Sequence, residues 1–187
     1  MSFSNFNTHS RLVGQHAFLG ASKYHWINYD LQRLTEVWHN AQQAQRGVEL
    51  HALAHQLVRL GVKLPKNGKT LNAYVNDAIG FRMRTEQIVL YSVNCFGTAD
   101  AISFSKGLLR IHDLKTGLIA GNMNQVKVYA AIFCLEYGIK PGEIEFELRI
   151  YQNDEVIVET SGMDEIAHIM SKIVVFDQHI ESLKEGG

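Results

Sequence analysis

The sequence predicts an α/β fold in which a mixed central β-sheet is flanked by helices. Three observations lead to this fold class. Residues 98–104 and 108–114 are rich in apolar and β-branched side chains, and the Lys106-Gly107 pair between them is typical of a hairpin turn. Residues 143–151 alternate between apolar and charged side chains, which indicates a half-buried strand. Apolar residues at helical spacing occur on both sides of these segments.

The part of the chain before the sheet is expected to be helical, over about residues 22–84. Ser22 is a candidate cap for a short helix, and Asp30 is a candidate cap for a longer helix that begins near residue 31. A separate helical run is predicted over residues 49–60, where leucines recur on one side. Thr70 is expected to cap a further helix that extends to about residue 81.

The sheet-centred core is expected over about residues 86–160. Its predicted strands cover residues 87–94, 98–104, 108–114, 143–151 and 156–159, with a helix over 124–137 between the third and fourth strands. A C-terminal helix is predicted over residues 164–183. With 187 residues, the chain is long enough to bury one sizeable core, and we expect a single domain over residues 1–187.

The formal net charge is −1, but the charged residues are unevenly distributed. Residues 141–187 contain eleven acids and three bases, whereas residues 1–140 contain fifteen bases and eight acids. The most basic segment, 59–84, includes Lys66 and Lys69. Such a segment can follow a phosphate backbone, although a solvated surface is the commoner explanation for any single lysine.

Cysteine content and hydropathy limit the classes of protein that fit the sequence. No apolar run is long enough to span a bilayer, and the N-terminus lacks the pattern of a secretory signal peptide, so we expect a cytoplasmic protein without a membrane partner. Cys95 and Cys134 are expected to be reduced thiols. Two cysteines cannot supply the four thiolates of an iron–sulfur cluster.

Two aspartates and a lysine are predicted to meet on the hairpin. If its turn has two residues, Ser105 pairs with Leu108, and the same register places Asp100 opposite Asp113. Directly opposed side chains have Cβ atoms about 5 Å apart, where like charges repel, and a divalent cation would relieve that repulsion. Lys115 would lie on the same face as Asp113.

A strand pair with solvated acids is the alternative interpretation of this hairpin. A one-residue change in the turn would favour it, because one aspartate would then move to the other face of the sheet. Glu86, just before the first predicted strand, is either an outer acid of the same site or an ordinary exposed residue.

Four short motifs resemble those of the RecB-type nucleases, which belong to the PD-(D/E)XK superfamily. The resemblance covers roughly residues 47–150, and it is closest to the small single-domain nucleases of phages and of CRISPR-associated systems. The motifs keep the family's order along the chain: Gly47-x-x-x-His51, Gly97-x-x-Asp100, Asp113-x-Lys115-Thr116-Gly117 and Gln125-x-x-x-Tyr129.

The resemblance implies a restriction-endonuclease-like core and a metal-dependent nuclease that hydrolyses DNA phosphodiester bonds. It assigns catalysis to Asp100, Asp113 and Lys115. It assigns a Mg²⁺ or Mn²⁺ ion to His51, Asp100 and Asp113. An exonuclease of phage or bacterial recombination, repair or DNA processing is the implied type, in the cytoplasm of a bacterium or an infected host. Many CRISPR-type relatives carry a four-cysteine iron–sulfur cluster, which this chain lacks.

Further residues are expected to contact the DNA. The resemblance places Gln125 and Tyr129 along the cleft, and they lie on one face of a helix because they are four residues apart. From their charge, Lys66 and Lys69 are expected to contact the phosphate backbone.

Two alternatives remain from the sequence. The chain could be a nuclease-fold subunit that binds DNA or assembles a larger complex with little catalysis of its own. His51 and His55, four residues apart, could instead bind a structural zinc ion, although Ala52 replaces the glutamate of a His-Glu-x-x-His protease. The sequence leaves open DNA strandedness, cleavage polarity, exo- or endonuclease action, one or two metal ions, and a homo-oligomer or repair partner.

Overall fold

The structure is a computed structural model that describes residues 7–117, 121–160 and 162–186. Its four helices are α1 (Leu31–Leu60), α2 (Thr70–Gly80), α3 (Asn124–Tyr137) and α4 (Met163–Glu185). Its five strands are β1 (Arg84–Ser92), β2 (Cys95–Ser105), β3 (Leu108–Leu114), β4 (Glu145–Gln152) and β5 (Glu155–Glu159). Short 3-10 helices cover Ser10–Leu12, Ala21–Asn28 and Pro141–Glu143.

Packing divides the chain into two compact units, residues 1–42 and 43–187, within what we expected to be a single domain. In the first unit, the rings of Phe18 and Trp38 pack edge to face with centroids 4.9 Å apart. The second unit contains the whole sheet and every residue predicted for the site. In the described part of the chain, no helix combines the length and the apolar character needed to cross a membrane.

The five strands form one mixed sheet in the order β1-β2-β3-β4-β5. Neighbouring strands are antiparallel except β3 and β4, which are parallel. Helix α3 makes the connection between these two strands, as a parallel pair requires. The α/β class and the mixed sheet flanked by helices are therefore confirmed.

The hairpin of β2 and β3 has the predicted register. Ser105 pairs with Leu108, and the ladder continues to the pair of Ala101 with His112. The turn residues Lys106 and Gly107 have φ values of 52° and 76°, and positive φ at both positions is what a two-residue type I′ turn needs. The same register places Asp100 level with Asp113, just beyond the last recorded pair.

The sheet has an apolar core on each face. Alternation along β4 sends Phe146 and Leu148 into the core under α3, while Tyr151 enters the core that includes Tyr74 of α2 and Ala54 of α1. All five side chains are buried. Because β3 alternates in the same way, one of its faces carries Asp113 and the other carries Arg110 and His112.

The structure corrects three details of the helical part. Helix α1 is continuous from Leu31 to Leu60, so the separate helix predicted to begin at residue 49 is wrong, although Asp30 caps α1 by accepting the Arg33 N–H at 2.7 Å. Ser22 lies inside a 3-10 helix and does not cap it. Helix α2 begins at Thr70 with Lys69 in the N-cap position, so Thr70 is not the cap, and the Thr70 N–H donates to Asp154 Oδ1 at 2.9 Å.

Candidate metal centre

Asp100 lies where β2 and β3 separate. The recorded backbone ladder ends one residue away, at Ala101 and His112, and the Asp100 carboxylate bridges to β3 by accepting the Leu114 N–H on Oδ2 at 2.8 Å. Its other oxygen, Oδ1, is 3.5 Å from Nδ1 of His51 on α1. One oxygen therefore fixes the side chain to the sheet, and the other faces a second potential metal ligand.

Glu86 joins this pair from β1. The pairs of Thr85 with Ala101 and of Gln87 with Ala99 place Glu86 level with Asp100 across the strands. Ligand atoms of His51, Glu86 and Asp100 all lie within 4.8 Å of one another. We expected Glu86 to precede the first strand, whereas the structure places it inside β1 and next to the predicted ligands.

The backbone of Glu86 has a conformation that is unusual for a strand. Its φ value is 53°, in the left-handed region that residues other than glycine adopt at a cost of about 1–3 kcal/mol when the surrounding structure imposes it. Such residues are concentrated at functional sites. An acid in that conformation, beside Asp100, is the one feature of the site that the sequence signalled only weakly.

Asp113 and Lys115 form a second part of the centre. The Asp113 side chain is almost completely buried, with 3% of the residue exposed, and Lys115 Nζ is 3.0 Å from its Oδ2. Burial raises the pKa of Asp113 above its usual value, and the nearby charge of Asp100 raises it further, while Lys115 acts in the opposite direction. Asp113 is not in the group formed by His51, Glu86 and Asp100, so the closest ligand set differs from the predicted one by one acid.

The centre carries more negative than positive charge. Three carboxylates, Glu86, Asp100 and Asp113, accompany the single ammonium group of Lys115 when His51 is neutral. The hydrogen bond to Asp100 raises the pKa of His51, and the surrounding carboxylates add to the effect against the opposing effect of burial. The site therefore favours an additional positive charge, either a proton on His51 or a cation.

Lys115 connects this centre to α3. Its Nζ donates a hydrogen bond to Gln125 Oε1 at 2.5 Å, and Gln125 Nε2 donates to the Tyr129 hydroxyl at 3.3 Å. The Lys115 N–H donates to the Tyr151 carbonyl at 2.9 Å, which fixes the backbone just after β3. The predicted cleft residues Gln125 and Tyr129 thus lie beside the predicted catalytic lysine.

Two glycines allow the motifs to approach one another. A Cβ atom on Gly47 would lie 2.7 Å from Thr116 Oγ1, and one on Gly97 would lie 2.7 Å from Tyr129 Cε1. Both distances are shorter than real Cβ contacts allow. A larger residue at either glycine would therefore displace a side chain of another motif, and all four motifs meet in the folded chain.

The remaining predicted residues take other roles. His55 Nδ1 is 2.6 Å from the Thr85 hydroxyl and is outside the ligand group, so the structure does not pair it with His51 as a zinc site. Lys66 is exposed, but Lys69 Nζ forms an ion pair with Asp154 at 2.7 Å. The basic and acidic parts of the sequence therefore meet in space, and the charge asymmetry along the chain is partly neutralised.

The donor set suits a hard divalent cation. Carboxylate oxygens are preferred by Mg²⁺ and Mn²⁺, and one imidazole nitrogen shifts the preference towards Mn²⁺.

A scan against protein-family models found no match for this chain, and searches among curated proteins and solved structures found none either. The candidate site consequently rests on its own geometry.

Proposed function

We propose that this chain is a divalent-metal-dependent nuclease that hydrolyses DNA phosphodiester bonds. The observation that supports it most is the convergence of His51, Glu86 and Asp100, with ligand atoms within 4.8 Å, next to the Asp113–Lys115 ion pair. Acids that repel one another at a sheet end, with a lysine held at their side, provide both a cation site and a donor for a phosphate oxygen.

The residues present fit the ion that this chemistry requires. His51, Glu86 and Asp100 would hold Mg²⁺ or Mn²⁺, with Asp113 adding its charge from the adjacent strand. A cation bound there supplies Lewis acidity, which lowers the pKa of a water molecule and offsets the negative charge of the phosphate. His51 must be neutral to act as a ligand, and the Nδ1 atom that faces Asp100 would have to give up its proton so that its lone pair could bind the ion.

Lys115 has the second role in catalysis. Its ammonium group is oriented by Asp113 on one side and Gln125 on the other. In this position it donates to the attacking water or to an oxygen that gains negative charge in the transition state. Asp113 forms an ion pair with the ammonium group, and Gln125 accepts a hydrogen bond from it on the side of α3.

Metal-dependent cleavage of DNA is the direct test. Linear and circular DNA, each single- and double-stranded, are incubated with Mg²⁺, with Mn²⁺ and with EDTA, and the products are separated by size. We expect cleavage with Mn²⁺ or Mg²⁺, none with EDTA, and none by Asp100→Asn with either metal. DNA binding without cleavage under every condition would favour the assembly subunit and overturn the proposal. Resistance of the circular substrates would identify an exonuclease.

A further inference from the structure

A cavity of about 280 Å³ lies between the beginning of β1, the end of β2 and the C-terminal part of α3. Its polar and aromatic lining includes Arg82, Arg84, Gln87, Phe104, Phe133 and Tyr137. We propose that this cavity binds single-stranded nucleic acid, with an unpaired base on the aromatic rings and phosphate on the arginines. The inference rests on the proposed function, since it names the strandedness of the substrate.

The charge of the cavity suits a phosphate. Arg82 and Arg84 are both exposed, no acidic residue lines the cavity, and neither arginine forms an ion pair within the described part of the chain. By contrast, Arg110 and Arg149 on the other face of the sheet are each paired with a glutamate. Two unpaired guanidinium groups at the edge of one cavity can each donate several hydrogen bonds to phosphate oxygens.

The position of Arg82 carries a backbone cost. Helix α2 ends with the Met83 N–H bonded to the Ala78 carbonyl at 2.9 Å, and Arg82 has a φ value of 54°. Glycine or asparagine is favoured at such a helix end, because a larger residue in the left-handed conformation is strained. An arginine at this position places a charged side chain at the cavity where the backbone alone would favour glycine.

The aromatic side of the cavity offers faces for stacking. Phe104 is 43% exposed and Tyr137 is 60% exposed, although both are large rings. Each packs against the buried Phe133, with ring centroids 5.3 Å away for Phe104 and 4.6 Å away for Tyr137. Phe133 therefore supports two accessible rings next to the arginines, which is the combination that binds unpaired bases and their phosphates.

The cavity is close to the candidate metal centre along the strands. Arg84 precedes Glu86 by two residues in β1, and Ile102, which also lines the cavity, follows Asp100 by two residues in β2. Two residues of a strand span about 7 Å. A strand bound in the cavity is thus near the proposed site of cleavage.

Helix α3 makes a second connection between the two places. Gln125, Tyr129, Phe133 and Tyr137 follow one another at intervals of four residues, which places them along one ridge of the helix. The ridge begins at the Lys115 contact and ends in the cavity. An unpaired strand can follow it, whereas the bases of a duplex are stacked on each other and are not available to Phe104 and Tyr137.

Binding is measured in EDTA, so that cleavage plays no part. A fluorescein-labelled oligothymidylate, an abasic oligomer of the same length and a duplex are titrated with the whole protein and followed by anisotropy. We expect oligothymidylate to bind at least about tenfold more tightly than the abasic oligomer, because a stacked base contributes on that scale. Tyr137→Ala should reduce the affinity for oligothymidylate about tenfold and leave the affinity for the abasic oligomer almost unchanged.

Matched variants separate charge from stacking. Arg84→Ala should weaken the binding of both single-stranded oligomers. It should also reduce the slope of log affinity against log salt concentration by about 0.7, the share of one phosphate contact on a single strand. Phe176→Ala and Lys172→Ala, an exposed aromatic residue and an exposed lysine on α4, are the controls and should bind as the wild type does.

Equal affinity of the wild type for oligothymidylate and the abasic oligomer would overturn the inference. So would a duplex that binds as tightly as oligothymidylate with no effect of Tyr137→Ala. The binding assay contains no metal, so its result does not depend on cleavage. A protein that binds as expected but never cleaves DNA would refute the proposed function and would still support the cavity as a binding site for single-stranded nucleic acid. Arg82→Asn, which removes the charge and tolerates positive φ, gives a variant with an intact helix end.

Discussion

Strand β3 carries two charged clusters on opposite faces of the sheet, and they differ in charge balance. On one face, Asp113 and Lys115 join three further groups, of which two are acids. On the other face, Arg149 Nη1 is 2.9 Å from Asp77 Oδ2, and Arg149 Nη2 is 3.0 Å from Glu147 Oε1. Arg110 Nε is 3.1 Å from the same glutamate oxygen, so two arginines balance two acids in this cluster.

The balanced cluster is also covered by an aromatic ring. Phe81 lies 4.4 Å from the Arg110 guanidinium and 5.0 Å from that of Arg149, measured to the ring centroid. The Tyr151 hydroxyl donates to Asp77 at 2.8 Å and lies 3.1 Å from His112 Nδ1. Ion pairs, cation–π contacts and hydrogen bonds together balance the charges of this cluster, although His112 Nε2 and Arg149 Nε are buried without a hydrogen-bond partner in the described part of the chain.

One histidine in each cluster shows the same difference. The hydrogen bond to Asp100 raises the pKa of His51, whereas burial together with the charges of Arg149 and Arg110 lowers the pKa of His112 to about 3. His112 is consequently neutral at ordinary pH. The cluster around His51 favours an added positive charge and is therefore suited to bind a cation, whereas the cluster around His112 disfavours one.

The largest effect should come from breaking the balanced cluster. Arg149→Ala leaves Asp77 and Glu147 without their shared partner, and we expect the free energy of unfolding to fall by about 3 kcal/mol. Urea denaturation measures the change. The control is Arg33→Ala, whose ion pair with Glu36 is exposed, and loss of such a pair costs less than about 1 kcal/mol. Equal losses in the two variants would contradict a structural role for this cluster.

Removing the lysine of the unbalanced cluster should affect chemistry instead. Lys115→Ala should reduce DNA cleavage per folded molecule by at least about a hundredfold, the scale of one lost transition-state donor, and the variant should still fold. Lys127→Ala is the matched control, because Lys127 is buried and pairs with Glu159 and Glu165. That variant should lose stability and keep its activity per folded molecule. Normal turnover by Lys115→Ala would exclude its catalytic role.

A smaller effect on the free energy of unfolding should have opposite signs in the two clusters. In EDTA, Asp113→Asn should raise the free energy of unfolding, because burial and the nearby charge of Asp100 disfavour the charged carboxylate that the amide replaces. Asp77→Asn should lower it by about 1 kcal/mol, since this acid is bonded to Arg149 and Tyr151. Chemical denaturation of both variants gives the comparison, and destabilisation by both would remove the distinction.

Local sequence patterns were sufficient for much of this architecture. Helix α3 and strand β3 have the predicted bounds, and the two-residue turn gave the correct pairing of Ser105 with Leu108. Glycine weakens helices, and Gly47 lies just before the separate helix predicted to begin at residue 49. In the folded chain it is retained inside the helix for its contact with Thr116, which is distant in sequence.

The features that the sequence did not predict are also contacts between residues that are far apart in the chain. Lys69 and Asp154 are far apart in sequence, so composition placed them in separate basic and acidic regions, whereas the folded chain pairs them at 2.7 Å. Glu86 was predicted to lie just before the first strand, either as an outer acid of the site or as an ordinary exposed residue. Its place beside Asp100 follows from the register of β1 against β2, which no pattern within one strand specifies.

Calorimetric titration with Mn²⁺ tests the central claim most directly. Metal-free wild-type protein and Asp100→Asn are titrated under identical conditions, with Asp77→Asn as the control from the balanced cluster. We predict saturable binding of Mn²⁺ to the wild type and to Asp77→Asn, and binding at least about tenfold weaker to Asp100→Asn, since each carboxylate ligand contributes strongly to affinity for a hard cation. Absence of binding to the wild type, or unchanged affinity in Asp100→Asn, would contradict a metal centre at the end of β2.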